Sequence, residues 1–325
     1  MTIATPSPGL ARSAEWRAAF AAVPSGVFHA EPVSGEAQDD SGAAGTAHAR
    51  LAAMCEALNV PRAARVLDLG TGTGYGAALL SHRFGGERVV SVDADADRLA
   101  AARTRLARAG YAPELVTGPL SRGCPERAPF GGLLAAHGAG HRVPAAWVGQ
   151  TLPGGVVVAA LGTGAVVLRA DGEGGASGRF LPVLAPPRQS ADPAVRARIP
   201  ALLVPLGARA EVSLPADPAA PMPRFLGSLA QPDVAELSLI DADGRPALGL
   251  VHPATGSWAR LDPRDDGTAR LQWDGPRELW AERVPLLADW AAAGRPGPEA
   301  YGLTVGASGA NRLWLGSPDG PGEVL

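Results

Sequence analysis

The chain has 325 residues, 46% hydrophobic and 19% charged, with 42 Gly and 31 Pro; a soluble chain of this length usually folds around two cores of ~100–200 residues each. All 29 basic residues are Arg and no Lys occurs, which excludes Schiff-base catalysis, dependent on a Lys amine, and a P-loop, dependent on the Lys of its GK[ST] motif. A net charge of -3 supplies no basic field for a polyanion, so nucleic acid is not an expected partner.

The opening MTIATPSPGLARSAEW has no apolar core of signal-peptide length, and no stretch approaches the ~20 apolar residues that span a bilayer. No membrane partner and a cytoplasmic location are therefore expected. AEWRAAFAA (14–22) spaces Trp16 and Phe20 four apart, which predicts a short helix. His29 to Gly45 is acidic, Gly-rich and without periodicity, so 1–45 reads as an N-terminal helix followed by a flexible loop.

A helical pattern starts at Thr46 and runs through Leu51, Met54, Cys55 and Leu58. Strand patterns follow at 65–70, 88–93, 113–118, 131–136 and 154–162, with helical runs at 74–83, 96–109 and 143–150 between them. Apolar strands alternating with helices predict a mostly parallel sheet covered on both faces, a Rossmann-like α/β domain over 46–189. A Pro-rich passage follows Arg188, and the turn signals Asp243-Gly244, Thr255-Gly256 and Asp266-Gly267 predict hairpins. A helix is predicted over Pro276–Ala293, kinked or split at Pro285. The stretch 190–325 is thus expected to form a C-terminal α+β accessory domain.

The strongest local signal is VLDLGTGTGYGAALL (66–80), an apolar strand entering a glycine turn that opens a helix. Glycines let the backbone approach a ligand, and a helix N-terminus presents N–H groups to its polar part. The dinucleotide fingerprint needs a glycine three residues after Gly72, where Tyr75 stands, so a nicotinamide cofactor is excluded. Asp68, two residues before Gly70, suits a cofactor bearing an ammonium group, such as S-adenosylmethionine. Asp93 ends the next strand, where ribose hydroxyls lie in such folds.

These features, with FAAVPSGVF (20–28), RVVSVDADADRLAAARTRLARAGY (88–111) and RVPAAWVGQTLPGGVVVAALG (142–162) in the same order, resemble the protein-L-isoaspartate O-methyltransferase family. GSWARL (256–261), GPRELW (275–280), WAAAGRP (290–296), YGLTV (301–305) and LWLGSP (313–318) are similar to the added domain of actinobacterial members of ribosomal peptide natural-product pathways. The resemblance implies a class I methyltransferase fold and S-adenosylmethionine held by Asp68, Gly70, Gly72, Gly74 and Asp93. It implies methyl transfer to an aspartyl or isoaspartyl carboxylate of a protein or precursor peptide. The family's acceptor-holding hydroxyl falls on Thr46, for which an N-cap role is an alternative.

Two departures from the family stand out. Its longer acceptor segment is reduced to His29–Gly45, and its Gly-Asp-Gly after the third strand reads Gly118-Pro119-Leu120, without the acid on the adenine side. They leave open a degenerate homologue that acts as a binding or accessory protein; methylation of a small molecule is a third reading. His137 and His141 read as loop residues, since no third ligand of recognisable spacing accompanies them, and Cys55 and Cys124 as ordinary thiols, since neither lies in a CxxC or Cys/His cluster. No metal is expected. Trp258, Trp273, Trp280, Trp290 and Trp314 read mainly as core, with a peptide-gripping surface as the alternative.

Overall fold

A computed structural model describes residues 11–28, 43–136, 140–185, 192–204, 208–240 and 243–325. The chain forms two compact units, Met1–Ala185 with Pro298–Leu325, and Pro186–Gly297.

In the first unit, α1 (Ala14–Ala22) is capped by Ser13, whose hydroxyl oxygen accepts from the Trp16 N–H. The Arg12 and Ser13 N–H groups and the Ser13 hydroxyl all donate to Glu56 of α2 (Ala43–Ala57). The predicted N-terminal helix is therefore an integral part of the first unit, with Trp16, Phe20 and Phe28 in the core against Met54, Leu79 and Phe84.

Next in the chain come β1 (Val66–Leu69), α3 (Tyr75–Phe84), β2 (Val89–Asp93), α4 (Ala96–Arg108), β3 (Glu114–Thr117), β4 (Phe130–Ala135), α5 (Ala145–Gly149) and β5 (Thr151–Leu161). The five strands are parallel in the order β3-β2-β1-β4-β5. β1 and β2 are buried at every residue, which is why their sequences are continuous apolar runs rather than alternating ones. The order turns back on itself at β1, so the crevice outside the carboxyl ends of β1 and β4 is where such a sheet takes a ligand. The antiparallel strands β6 (Gly164–Ala170) and β7 (Ala176–Phe180) extend the sheet beyond β5.

The second unit contains α6 (Pro193–Leu203), β8 (Ala208–Ser213), α7 (Pro221–Ala230), β9 (Ala235–Ile240), β10 (Pro246–His252), β11 (Ser257–Pro263), β12 (Thr268–Asp274) and α8 (Leu279–Ala292). Its sheet is antiparallel, in the order β8-β12-β11-β10-β9. The three predicted turns join β9 to β10, β10 to β11 and β11 to β12, and Gly244, Gly256 and Gly267 each take a positive φ there. α8 is not split at Pro285. The one lost hydrogen bond is outweighed by burial of Leu279, Trp280, Leu287 and Trp290 along the helix. Trp258 is also core, whereas Trp273 is half-buried and lines an apolar cavity of about 360 Å³ with Leu271, Trp280 and Val284.

The continuous second domain read over 190–325 is corrected by the structure. Residues 298–325 return to the first unit, where β13 (Tyr301–Val305) pairs antiparallel with β7, β14 (Asn311–Leu315) with β13 and β15 (Gly322–Val324) with β14, completing a ten-stranded sheet. The strand character of YGLTV and LWLGSP is local, but the choice of β7 as partner depends on long-range fit. Gly302 is required there, because a Cβ on it would stand 2.1 Å from the Trp314 ring. Trp314 is buried and its indole N–H donates to Thr304 Oγ1 at 3.1 Å. Trp314→Ala is expected to lower the stability of the first unit by about 3–5 kcal/mol, measured as the shift of its urea transition.

Candidate active site

The site begins with a register. Pairing of β1 with β2 sets Asp68 opposite Ser91, and the Ser91 hydroxyl donates to Asp68 Oδ2 at 2.6 Å. The Thr71 and Ser91 hydroxyl oxygens are 2.7 Å apart. With its own proton committed to Asp68, Ser91 accepts here and Thr71 donates. All three side chains are buried. Burial pushes the Asp68 carboxyl up to about 7, nearby Asp93 adds to the rise, and the Ser91 hydrogen bond opposes it.

The glycine turn rests on the end of β2. The Gly70 and Thr71 N–H groups donate to the Val92 carbonyl at 2.9 and 3.2 Å, and the Gly72 N–H donates to Asp93 Oδ2 at 2.9 Å. Gly70, Gly72 and Gly74 have φ of 88°, 54° and 95°, a region that side chains with a Cβ rarely enter. Gly74 has a second constraint, since its Cβ would stand 3.3 Å from Leu106 Cγ and 3.4 Å from Ala102 Cβ of α4.

A cavity of about 290 Å³ opens above this turn, with Asp68, Gly70, Thr71, Gly72, Thr73 and Gly76 on one side, Ala136 at the end of β4, and His48, Arg50, Leu51, Met54 and Tyr75 in the rest of its wall. Asp68, Gly70 and Gly72 are thus brought together as wall residues. Gly74 and Asp93 are not among the residues that line it, and both brace the turn. Gly74 lets α3 pack on α4, and Asp93 accepts from the Gly72 and Asp95 N–H groups while Arg98 lies 3.8 Å away. Thr46 lies in α2, which begins three residues earlier at Ala43, so Thr46 is not its N-cap; its side chain lies outside the described residues, as does His137. His141 sits in a turn. Among the described residues no three His, Cys, Asp or Glu side chains cluster as for a metal.

Sequence reasoning missed four contributors. Ser91 was detectable as the polar residue inside the apolar run VVSV. Tyr75 follows the last turn glycine; its ring meets Phe20, Phe28 and His48 at centroid distances of 6.5, 5.7 and 6.0 Å. The Tyr75 hydroxyl is buried without a hydrogen-bond partner among the described residues, and burial together with nearby Cys55 pushes it up to about 12, so it remains a donor. His48 and Arg50 carry no motif and become visible only as cavity wall. Cys55 is buried, and burial pushes its thiol well above the ordinary range, as expected of an unreactive thiol.

A crevice at the carboxyl ends of a parallel sheet, with a glycine turn, a buried acid and no glycine at position 75, defines an α/β protein that takes a nucleotide-like, non-dinucleotide cofactor. The family model described as protein-L-isoaspartate(D-aspartate) O-methyltransferase matches residues 7–171, and the chain belongs to that family. Protein-L-isoaspartate O-methyltransferases of Methylorubrum populi and Methylorubrum extorquens are 40% and 35% identical, over 34% and 44% of this chain and 51% and 64% of theirs. The chain thus spans between half and two thirds of the length of these curated relatives. A solved protein-L-isoaspartate O-methyltransferase is 20% identical over 94% of this chain and 96% of its own, with a TM-score of 0.49. One from Plasmodium falciparum in complex with S-adenosyl-L-homocysteine is 12% identical over 50% of this chain and 84% of its own, with a TM-score of 0.40.

The raised Asp68 carboxyl makes a signed prediction. Its folded value of about 7 exceeds the ordinary 3.8, so its contribution to stability is complete below about pH 4 and is lost as pH rises through 7. The difference in Tm between the ligand-free wild type and Asp68→Asn should therefore move against the wild type between pH 4 and pH 7.5 and be level above it. A difference independent of pH would contradict the assignment.

Proposed function

We propose that the chain is an S-adenosylmethionine-dependent carboxyl O-methyltransferase acting on an aspartyl or isoaspartyl side chain of a protein or precursor peptide. The observation that carries this reading is the Asp68 carboxyl in the wall of a cavity floored by the glycine turn. Among the described residues no cation forms an ion pair with Asp68, and burial opposes its ionisation. An ammonium group seated there would supply the missing positive charge, so the donor set fits the methionyl end of the cofactor. The cradle fits as well, because Gly76 turns no side chain toward Asp68; a Cβ there would stand 3.6 Å from Asp68 Oδ1.

S-Adenosylmethionine, when bound, supplies a methyl group on a sulfonium centre. The acceptor carboxylate is already nucleophilic at neutral pH, so the protein's task is to orient it at the ~3–3.5 Å of a near-attack geometry. Arg50 is a buried, permanently charged residue in the cavity wall. Thr46, the proposed acceptor hydroxyl, stands one helical turn before Arg50 on α2. Tyr75, in the same wall, packs its ring against Phe20 and Phe28. Membership of the methyltransferase family supports the reaction. The resemblance of the C-terminal phrases to pathway enzymes supports a ribosomally made precursor peptide as the acceptor.

A second reading, a binding or accessory protein without methyl transfer, draws on Pro119 and on the shortened acceptor segment His29–Gly45. Calorimetry with S-adenosylhomocysteine separates the two. Binding should weaken about tenfold per pH unit below 7, as Asp68 must lose its proton to receive the ammonium, and Asp68→Ala should weaken it at least about tenfold at pH 8. Mass spectrometry of an Asp-containing peptide incubated with S-adenosylmethionine should then show the gain of one methyl group, or loss of water after succinimide closure. No binding at millimolar ligand would overturn the enzyme reading in favour of the second.

A further inference from the structure

Asn311, at the start of β14, is buried to 1% exposure. Its Oδ1 accepts from the Val143 N–H at 2.9 Å, and its Nδ2 donates to the Val143 carbonyl at 3.0 Å and to the Gly309 carbonyl at 3.0 Å. One side-chain amide thus satisfies both backbone groups of one residue, as a neighbouring strand would, across 168 positions of sequence. Such a clamp is specific to an amide. A carboxylate could accept from the N–H but could not donate to the carbonyl, and an aliphatic chain could do neither.

Val143 holds one end of the connection between β4 and α5. That connection leaves β4 at Ala136, a residue of the cavity wall, and enters α5 through Pro144. The far side of α5 is anchored separately: the Trp147 indole donates to the Leu120 carbonyl, and Gln150 bonds the Arg122 carbonyl and the Cys124 N–H, each at 2.7 Å. On the Asn311 side, the turn between β13 and β14 lies against α5, where a Cβ on Gly309 would meet the Ala145 Cβ at 3.6 Å. α5 and Val143 just before it are therefore held from one side by the connection between β3 and β4 and from the other by Asn311 and the turn between β13 and β14.

We propose that Asn311 is a positioning residue for the candidate site: by holding Val143 it fixes the point at which the chain that leaves the cavity wall at Ala136 enters α5. The C-terminal strands, which lie beyond residues 7–171 matched by the family model, thereby become a working part of the site. The kinetic consequence rests on the methyltransferase reading; the clamp itself does not.

The test uses full-length Asn311→Asp and Asn311→Leu and reads amide-exchange protection factors of Val143–Gln150, with β1 and β2 as internal controls for folding. Near neutral pH both variants should lose about tenfold of protection at Val143–Gln150, the equivalent of about one net hydrogen bond, while β1 and β2 keep theirs. In Asn311→Asp the protection should return as pH falls through the pKa of the new carboxyl, because the protonated acid can again both donate and accept; Asn311→Leu should show no such rescue. The KM for the acceptor peptide should rise about tenfold in both, with S-adenosylhomocysteine affinity changed less than about threefold. Unchanged protection in both variants would overturn the clamp, and lost protection with unchanged KM would overturn its role in positioning. Lost protection in a protein whose wild type transfers no methyl group would uphold the clamp and sink the methyltransferase reading instead.

Discussion

The parallel register of β1 against β2 is the constraint on which the site depends. It places the Asp68 carboxyl across from the Ser91 hydroxyl and, through Ser91, within reach of Thr71 in the glycine turn. A slip of one residue would put Val90 or Val92 in place of Ser91, leaving a buried carboxyl with no donor from that strand. The same strand end supports the turn itself, since Val92 and Asp93 accept from the N–H groups of Gly70, Thr71 and Gly72. One register therefore sets the position of the acid, its affinity for a proton and the shape of the backbone beside it.

Around this centre the protein builds its walls from distant parts of the chain. α1 and the following turn bring Phe20 and Phe28 onto Tyr75, and α2 contributes His48, Arg50 and Met54. The sheet continues past β5 through antiparallel strands, and β13 covers the edge that β7 would otherwise present to solvent. Covering an edge removes a row of unpaired backbone groups, and here it also carries Asn311 to the connection after β4. Fold completion and site geometry share the same strands.

The elements of the α/β half were legible in the sequence because their signals are local: apolar runs of strand length, helical spacing between them, and glycines where the backbone takes positive φ. The glycine turn and Asp68 were legible for the same reason. The roles of individual residues within the motif were less so. Gly74 also serves packing on α4, and Asp93 also braces Gly72 and Asp95 through its carboxylate, tasks that no spacing rule announces. Arg50 sits in an alanine-rich helix with no motif around it, and only folding brings it to the wall that holds Asp68.

By itself, then, the sequence determined the alternation of strands and helices, the turn that opens the cavity and the buried acid beside it, because each depends on residues close together along the chain. Tertiary structure alone decided the rest. It assigned residues 298–325 to the first sheet rather than to the second unit, joined Asn311 to Val143, and raised Asp68 to near neutrality. Those outcomes depend on which surfaces exclude water from one another, and that is set by pairings between residues far apart in sequence.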